Sequence, residues 1–179
     1  MIKNSFIIGL KCKKAISPED IDYSEYEFDE EYDSVTSVFY SLSESFYERG
    51  IELLLKICDH DCINFGVELS ILFEEFHNFV NFVNNNSENE YALHFYEQGA
   101  NRLLSFKKNE KGEYSLIFED HSIVGFERLN ASGTVLDLNL MLFTLFSKVR
   151  FLADKLCPSI TKASMYSVWV DKIEGVFKL

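Results

Sequence analysis

The densest run of titratable and metal-ligating side chains is Cys58-Asp59-His60-Asp61-Cys62. If the chain reverses there, the two cysteines flank the turn and lie close together. A zinc site would need a fourth ligand from elsewhere, and C-x-H-x-C is not one of the zinc-binding spacings. Half-buried cysteines beside a turn also behave as small hydrophobes. The run therefore reads as an acidic turn carrying an exposed histidine, and no metal is assigned. His94 and Glu97 lie three apart, and Asp120-His121 follows further on, so an acid/base pair on a sheet face is one reading. A histidine on the wetter face of a strand is the other. Glu74, Glu75 and His77 fall on the polar side of a helical stripe. G-x-S-x-G, P-loop, G-x-G-x-x-G and H-E-x-x-H motifs are all absent. The expectation is a non-enzyme with no catalytic residue and no cofactor, with an enzyme using His94 and Glu97 as the distant alternative.

A different kind of chemistry is offered by residues 19–33. Nine carboxylates (Glu19, Asp20, Asp22, Glu25, Glu27, Asp29, Glu30, Glu31, Asp33) occur there without one base, and Tyr23, Tyr26, Phe28 and Tyr32 are threaded among them. Self-repulsion disfavours a regular buried element. A solvated acidic loop or frayed helix accounts for the charge. A binding surface accounts for the aromatics as well, because aromatic anchors rimmed by charge are what interface hot spots look like. On that reading Glu19, Asp22, Glu25, Glu27, Asp29 and Glu30 supply electrostatic complementarity, and Tyr23, Tyr26 and Phe28 anchor.

These residues must be positioned by a scaffold, and periodicity outlines one. Residues 5–12 are a compact apolar run that reads best as a short strand, with a helix start as the alternative. Ser17-Pro18-Glu19-Asp20 is a helix-start signal. Val35, Val38, Phe39, Leu42 and Phe46 recur at helical spacing, and Arg49-Gly50 ends that helix. Residues 51–57 and 63–69 each alternate with period two, which predicts a hairpin with Asp59-His60-Asp61 as its turn. Leu72, Phe73, Phe76, Phe79, Val80 and Val83 form a second helical stripe, which stops at Asn84-Asn85-Asn86.

Residues 91–120 then carry three alternating runs separated by Gln98-Gly99 and by a loop containing Gly112, the pattern of an antiparallel meander. Residues 120–133 read as a loop. Gly133-Thr134 opens a long apolar helix that stops before Pro158. Leu136, Leu140 and Phe143 widen its stripe, so it is expected to be the most buried helix. Residues 159–179 lean to helix. The predicted fold class is α+β, an antiparallel sheet made of a hairpin plus a three-strand meander packed by several amphipathic helices. With no repeat or linker dividing the chain, residues 1–179 are expected to form one domain.

Composition narrows the partners. The chain has 179 residues and is 47% hydrophobic with 17 Phe, enough to build a core and to argue against global disorder. A formal charge of -12 argues against nucleic acid and anionic membranes as partners, and favours a basic partner or plain solubility. No signal peptide and no membrane-spanning run is read, and four cysteines are too few for a disulfide framework, so a cytoplasmic chain is expected.

The order of amphipathic helix, Phe/Leu-rich hairpin, helix with E-E-F-H-N-F-V (74–80), meander with L-H-F-Y-E-Q-G (93–99) and long closing helix resembles small bacterial immunity proteins. Those are the cognate neutralisers encoded beside secreted or contact-dependent growth-inhibition toxins. The likeness covers residues 51–158, and its local hallmark is Phe95-Tyr96-Glu97-Gln98-Gly99. It implies a cytoplasmic, non-enzymatic inhibitor that binds one toxin domain and blocks its active site or substrate groove. Many such toxins are nucleases with basic clefts, which fits the charge of this chain. The competing expectation is an adaptor or structural domain with no toxin, whose acidity serves only solubility.

Overall fold

The computed structural model describes residues 5–21, 26, 29, 34–62, 68–85, 87–97, 100–121 and 127–177. It has the expected α+β class, built from two antiparallel sheets and four α-helices among the described residues. The first sheet has the order β1 (Phe6–Cys12), β2 (Ile51–Ile57), β3 (His60–Asp61). The second is a simple meander: β4 (Glu90–Glu97), β5 (Ala100–Lys108), β6 (Glu113–Asp120), β7 (Glu127–Thr134).

Three expectations about the strands need correction. The turn of the first hairpin is Cys58-Asp59 rather than Asp59-His60-Asp61, because Ile57 pairs directly with His60. Cys58 takes a positive φ of 55° to make so tight a reversal, a conformation in which a Cβ is strained. The returning strand is two residues long, and Leu69 belongs to a helix; residues 63–67, placed in the strand by their alternation, lie outside the described residues. The long partner of β2 is instead β1, paired along seven residues from Phe6↔Ile57 to Cys12↔Ile51.

The third correction is β7, which sequence periodicity leaves as loop. Of its core-facing positions Leu129, Ala131 and Gly133 only the first is large, so no apolar alternation registers. The glycine has a packing reason. The Tyr114 ring lies against the backbone of Gly133, so that a Cβ there would come within 2.9 Å of the Tyr114 hydroxyl oxygen. Only glycine admits that approach.

The helices follow their stripes. Helix α1 (Val35–Glu48) starts at Ser34, whose N–H donates to Ser37 Oγ at 2.7 Å while its own hydroxyl accepts from the Ser37 N–H at 3.4 Å. It ends at Gly50 with φ 71°, the left-handed stop that glycine allows. Helix α2 (Glu68–Asn84) is followed by the meander, and α3 (Val135–Leu156) by α4 (Ser164–Phe177). Strand β7 runs straight into α3, with Thr134 as N-cap accepting from the Asp137 N–H at 3.1 Å.

The most buried helix is α2, not α3: ten of its 17 residues are buried, against eight of 22 in α3. The cause is its central place between two layers. Phe79 and Phe82 stack on Tyr91 and meet Phe106 of the meander at a tilt, with Phe79 and Tyr91 5.2 Å apart and nearly parallel. On the other side Phe73 and Phe76 meet Trp169, Phe39 and Phe146 of the remaining helices. The Trp169 indole N–H donates to the Phe73 carbonyl at 2.9 Å, so the polar atom of the largest core ring is satisfied. Each of these rings, removed from water, stabilises by about 1.5–3 kcal/mol. One hydrophobic cluster runs through both sheets and all four helices.

Candidate partner-binding surface

The acidic run is held at both ends by α1. Its near end is a single 3-10 turn, Pro18–Asp20, closed by the Ser17 N–H donating to the Asp20 carboxylate at 2.7 Å. Lys14 Nζ lies 2.8 Å from the same carboxylate. That lysine and the Ser17 N–H together pull the Asp20 carboxyl down to about 2. Arg49, just past the end of α1, donates through Nε to the Asp20 carbonyl at 2.5 Å and through Nη1 to the Ser45 carbonyl at 2.7 Å. The far end of the run is Ser34, the N-cap of the same helix. The described anchors, Asp20 bonded beside the C-terminus of α1 and Ser34 at its N-terminus, are thus separated by about 21 Å, the length of 14 helical residues.

Of the residues read as partner-binding, Glu19, Tyr26 and Asp29 are described. Glu19 and Asp29 are exposed; Tyr26 is half-buried against the hydrophobic core, so packing uses part of its ring. Asp22, Tyr23, Glu25, Glu27, Phe28 and Glu30 lie outside the described residues.

Structure adds residues that the linear reading passed over. The outer face of α1 presents Tyr40, Glu44, Tyr47 and Glu48, with Tyr40 44% and Tyr47 54% exposed. They recur at i, i+4, i+7 and i+8, opposite the buried Val38, Phe39, Leu42 and Phe46. The signal was present in the sequence as the polar side of an amphipathic helix containing two tyrosines. This face repeats the chemistry of the adjoining run, carboxylates beside aromatic rings. The bases beside it are engaged: Arg49 lies 3.8 Å from Glu48 and bonds the Asp20 carbonyl, Lys13 bonds Glu52, and Lys14 bonds Asp20.

The other candidates separate in space. Cys62 is buried, with its thiol directed to the His60 carbonyl at 3.6 Å, and burial pushes that thiol up to about 12. His60 points elsewhere, its Nδ1 3.8 Å from Glu127 Oε1. Among the described residues no three His, Cys, Asp or Glu side chains are grouped to hold a metal ion. His94 bonds Asn101 Oδ1 through Nε2 at 2.7 Å, and of Glu97 only the backbone is described. Asp120 and His121 face opposite sides of the sheet: Asp120 turns inward, while His121 lies 3.8 Å from Glu119.

Asp120 belongs instead to a buried ion network. Arg102 is 7% exposed; its Nη1 bonds Glu68 Oε1, and its Nε donates to Asp120 Oδ2 at 2.9 Å. Glu68 is the first residue of α2, so the guanidinium ties the start of that helix to the second and third strands of the meander. At the other end of α2, Lys108 Nζ donates to the carbonyls of Phe82 and Asn85. A cation there suits the negative end of the helix dipole. These charged groups position the core helix and offer solvent no reactive group.

Among the described residues no helix is long and apolar enough to cross a membrane. Comparison with family models, with curated proteins and with solved structures finds no match.

Proposed function

We propose that this protein is an immunity protein, a cytoplasmic inhibitor without catalytic activity that neutralises a cognate bacterial toxin domain with a basic active-site cleft, such as a nuclease. The observation that carries the reading is the face built on α1. Tyr40, Glu44, Tyr47 and Glu48 lie on the helix whose two ends fix the acidic, tyrosine-bearing run 19–33. Carboxylates spread over this face steer a basic partner into encounter, and aromatic rings between them supply the slow dissociation. The total charge of -12 acts in the same direction over longer range. In this account the inhibitor makes no bond with its target and needs no cofactor. It excludes substrate by occupying the cleft.

A growth assay tests this. The toxin-like product of the adjoining reading frame, expressed alone, is expected to arrest growth, and co-expression of this chain is expected to restore it. A variant with Glu19, Asp29, Glu44 and Glu48 all changed to Lys should fail to protect while accumulating to the same level. Growth arrest that persists with the wild-type chain present would overturn the reading, as would full protection by the charge-reversed variant.

A further inference from the structure

The solvent face of α3 is apolar where a helix of this amphipathic type should be polar. Leu136 is 76%, Leu140 62% and Phe151 63% exposed. With Thr144 and Ser147 they recur at i, i+4, i+8, i+11 and i+15, so at 100° per residue all five fall within an arc of about 80°. The opposite face is covered by β1, β7, α2 and the turn before α4, and no described element covers this one. Thr144 does not break the stripe: its hydroxyl donates to the Leu140 carbonyl at 2.7 Å, so it can be buried without losing a hydrogen bond.

We propose that this stripe is a self-association surface on which two copies of the chain pack their α3 helices antiparallel about a two-fold axis. The order of side chains argues for a second copy rather than an unrelated partner, because four of the five stripe positions exchange with one another when the helix is reversed, while Leu136 comes level with the aliphatic stem of Lys155. An axis between residues 145 and 146 sets Leu140 against Phe151 and Thr144 against Ser147. Small side chains then meet at the centre, where the helices approach most closely, and large ones meet on either side.

The charges agree with this register. Asp137 and Lys155 lie on the same flank at the two ends of the stripe, and the reversal brings each opposite the other on the second copy. Lys155 Nζ sits over its own Phe151 ring, 5.8 Å from the centroid, and so stays at that edge. Arg150 lies on the other flank, where it is already paired with Glu174, and Asp154 falls at the angle of Leu136, at the edge of the stripe. A contact limited to one helix pair is small beside the roughly 800 Å² per partner of a standard interface, so the dimer is reversible and concentration-dependent. The proposal does not depend on the immunity reading.

Sedimentation velocity over about a thousandfold range of concentration is the test. The wild-type chain should pass from monomer to dimer. Leu140→Glu, at an exposed position where folding is unaffected, should raise the dissociation constant at least about tenfold, which is about 1.4 kcal/mol. Lys155→Glu should weaken the dimer, and adding Asp137→Lys on the same chain should restore it, with helicity by circular dichroism unchanged throughout. A wild-type chain monomeric over the whole range would overturn the proposal, even if another protein were found to cover the stripe. A dimer indifferent to Leu140→Glu would overturn it equally.

Discussion

Arg102 shows how a single residue is constrained by both strands and helix. Its guanidinium bonds two carboxylates, Glu68 and Asp120, where its own side chain is 9% exposed. Burial opposes its charge, the two carboxylates favour it, and the outcome is a guanidinium held above its ordinary range. Removing one partner of such a network costs more than the network contributes, because the remaining charges stay buried. Arg102→Leu is expected to lower stability by roughly 3–5 kcal/mol in urea denaturation. A loss below about 1 kcal/mol would show that the two carboxylates relax to solvent when the guanidinium is removed. None of this was visible in sequence, where Glu68, Arg102 and Asp120 are separated by 34 and 18 positions and each looks like a surface charge.

Among the elements, the 3-10 turn at Pro18–Asp20 has a function disproportionate to its length, since it fixes where the acidic run departs from α1. Its stability depends on pH with a definite sign. The Asp20 carboxyl is held at about 2, below its ordinary 3.8, so the ionised form favours the folded turn. That stabilisation is complete above about pH 4 and is lost as the pH falls from about 4 toward about 2. Amide exchange at Ser17, whose N–H donates to this carboxylate, should therefore accelerate across that window and be independent of pH there, beyond intrinsic chemistry, in Asp20→Asn. Unchanged protection down to pH about 2 would mean that the Arg49 bond to the Asp20 carbonyl holds the turn alone.

What sequence made legible at this scale follows a physical rule. Helices α1 and α2 and the strands β4 to β6 were readable because large apolar residues mark their buried faces. Strand β7 was not, because two of its three inward residues are Ala131 and Gly133, the glycine lying against the Tyr114 ring. Helix α3 was legible as a helix but not in its burial. Periodicity finds an apolar face without saying whether the chain itself covers it, and Leu136 and Leu140 are left in solvent. The reach of the returning strand was overread at its far end, where Leu69 keeps the alternation but belongs to α2. The candidate site was half visible. The acidic run stood out by composition, but the tyrosines of α1 belong with it only because Arg49 and Ser34 bring the ends of the run to that helix.

For the whole molecule, charge and shape divide the surface into regions with different tasks. The α1 side concentrates carboxylates and tyrosines, whereas the outer stripe of α3 is uncharged between Asp137 and Phe151 apart from its flanks. The first suits the basic partner proposed above and the second the proposed second copy of the chain. The central proposal is the first, and native mass spectrometry of this protein co-expressed with its upstream neighbouring reading frame tests it most directly. The account predicts a stoichiometric complex with a basic domain that survives purification in low salt. It also predicts that the complex weakens steeply as ionic strength rises past the point where the Debye length falls to about 8 Å. Recovery of the chain alone, or of a complex whose stability is indifferent to salt and to charge reversal at Glu19, Asp29, Glu44 and Glu48, would contradict it.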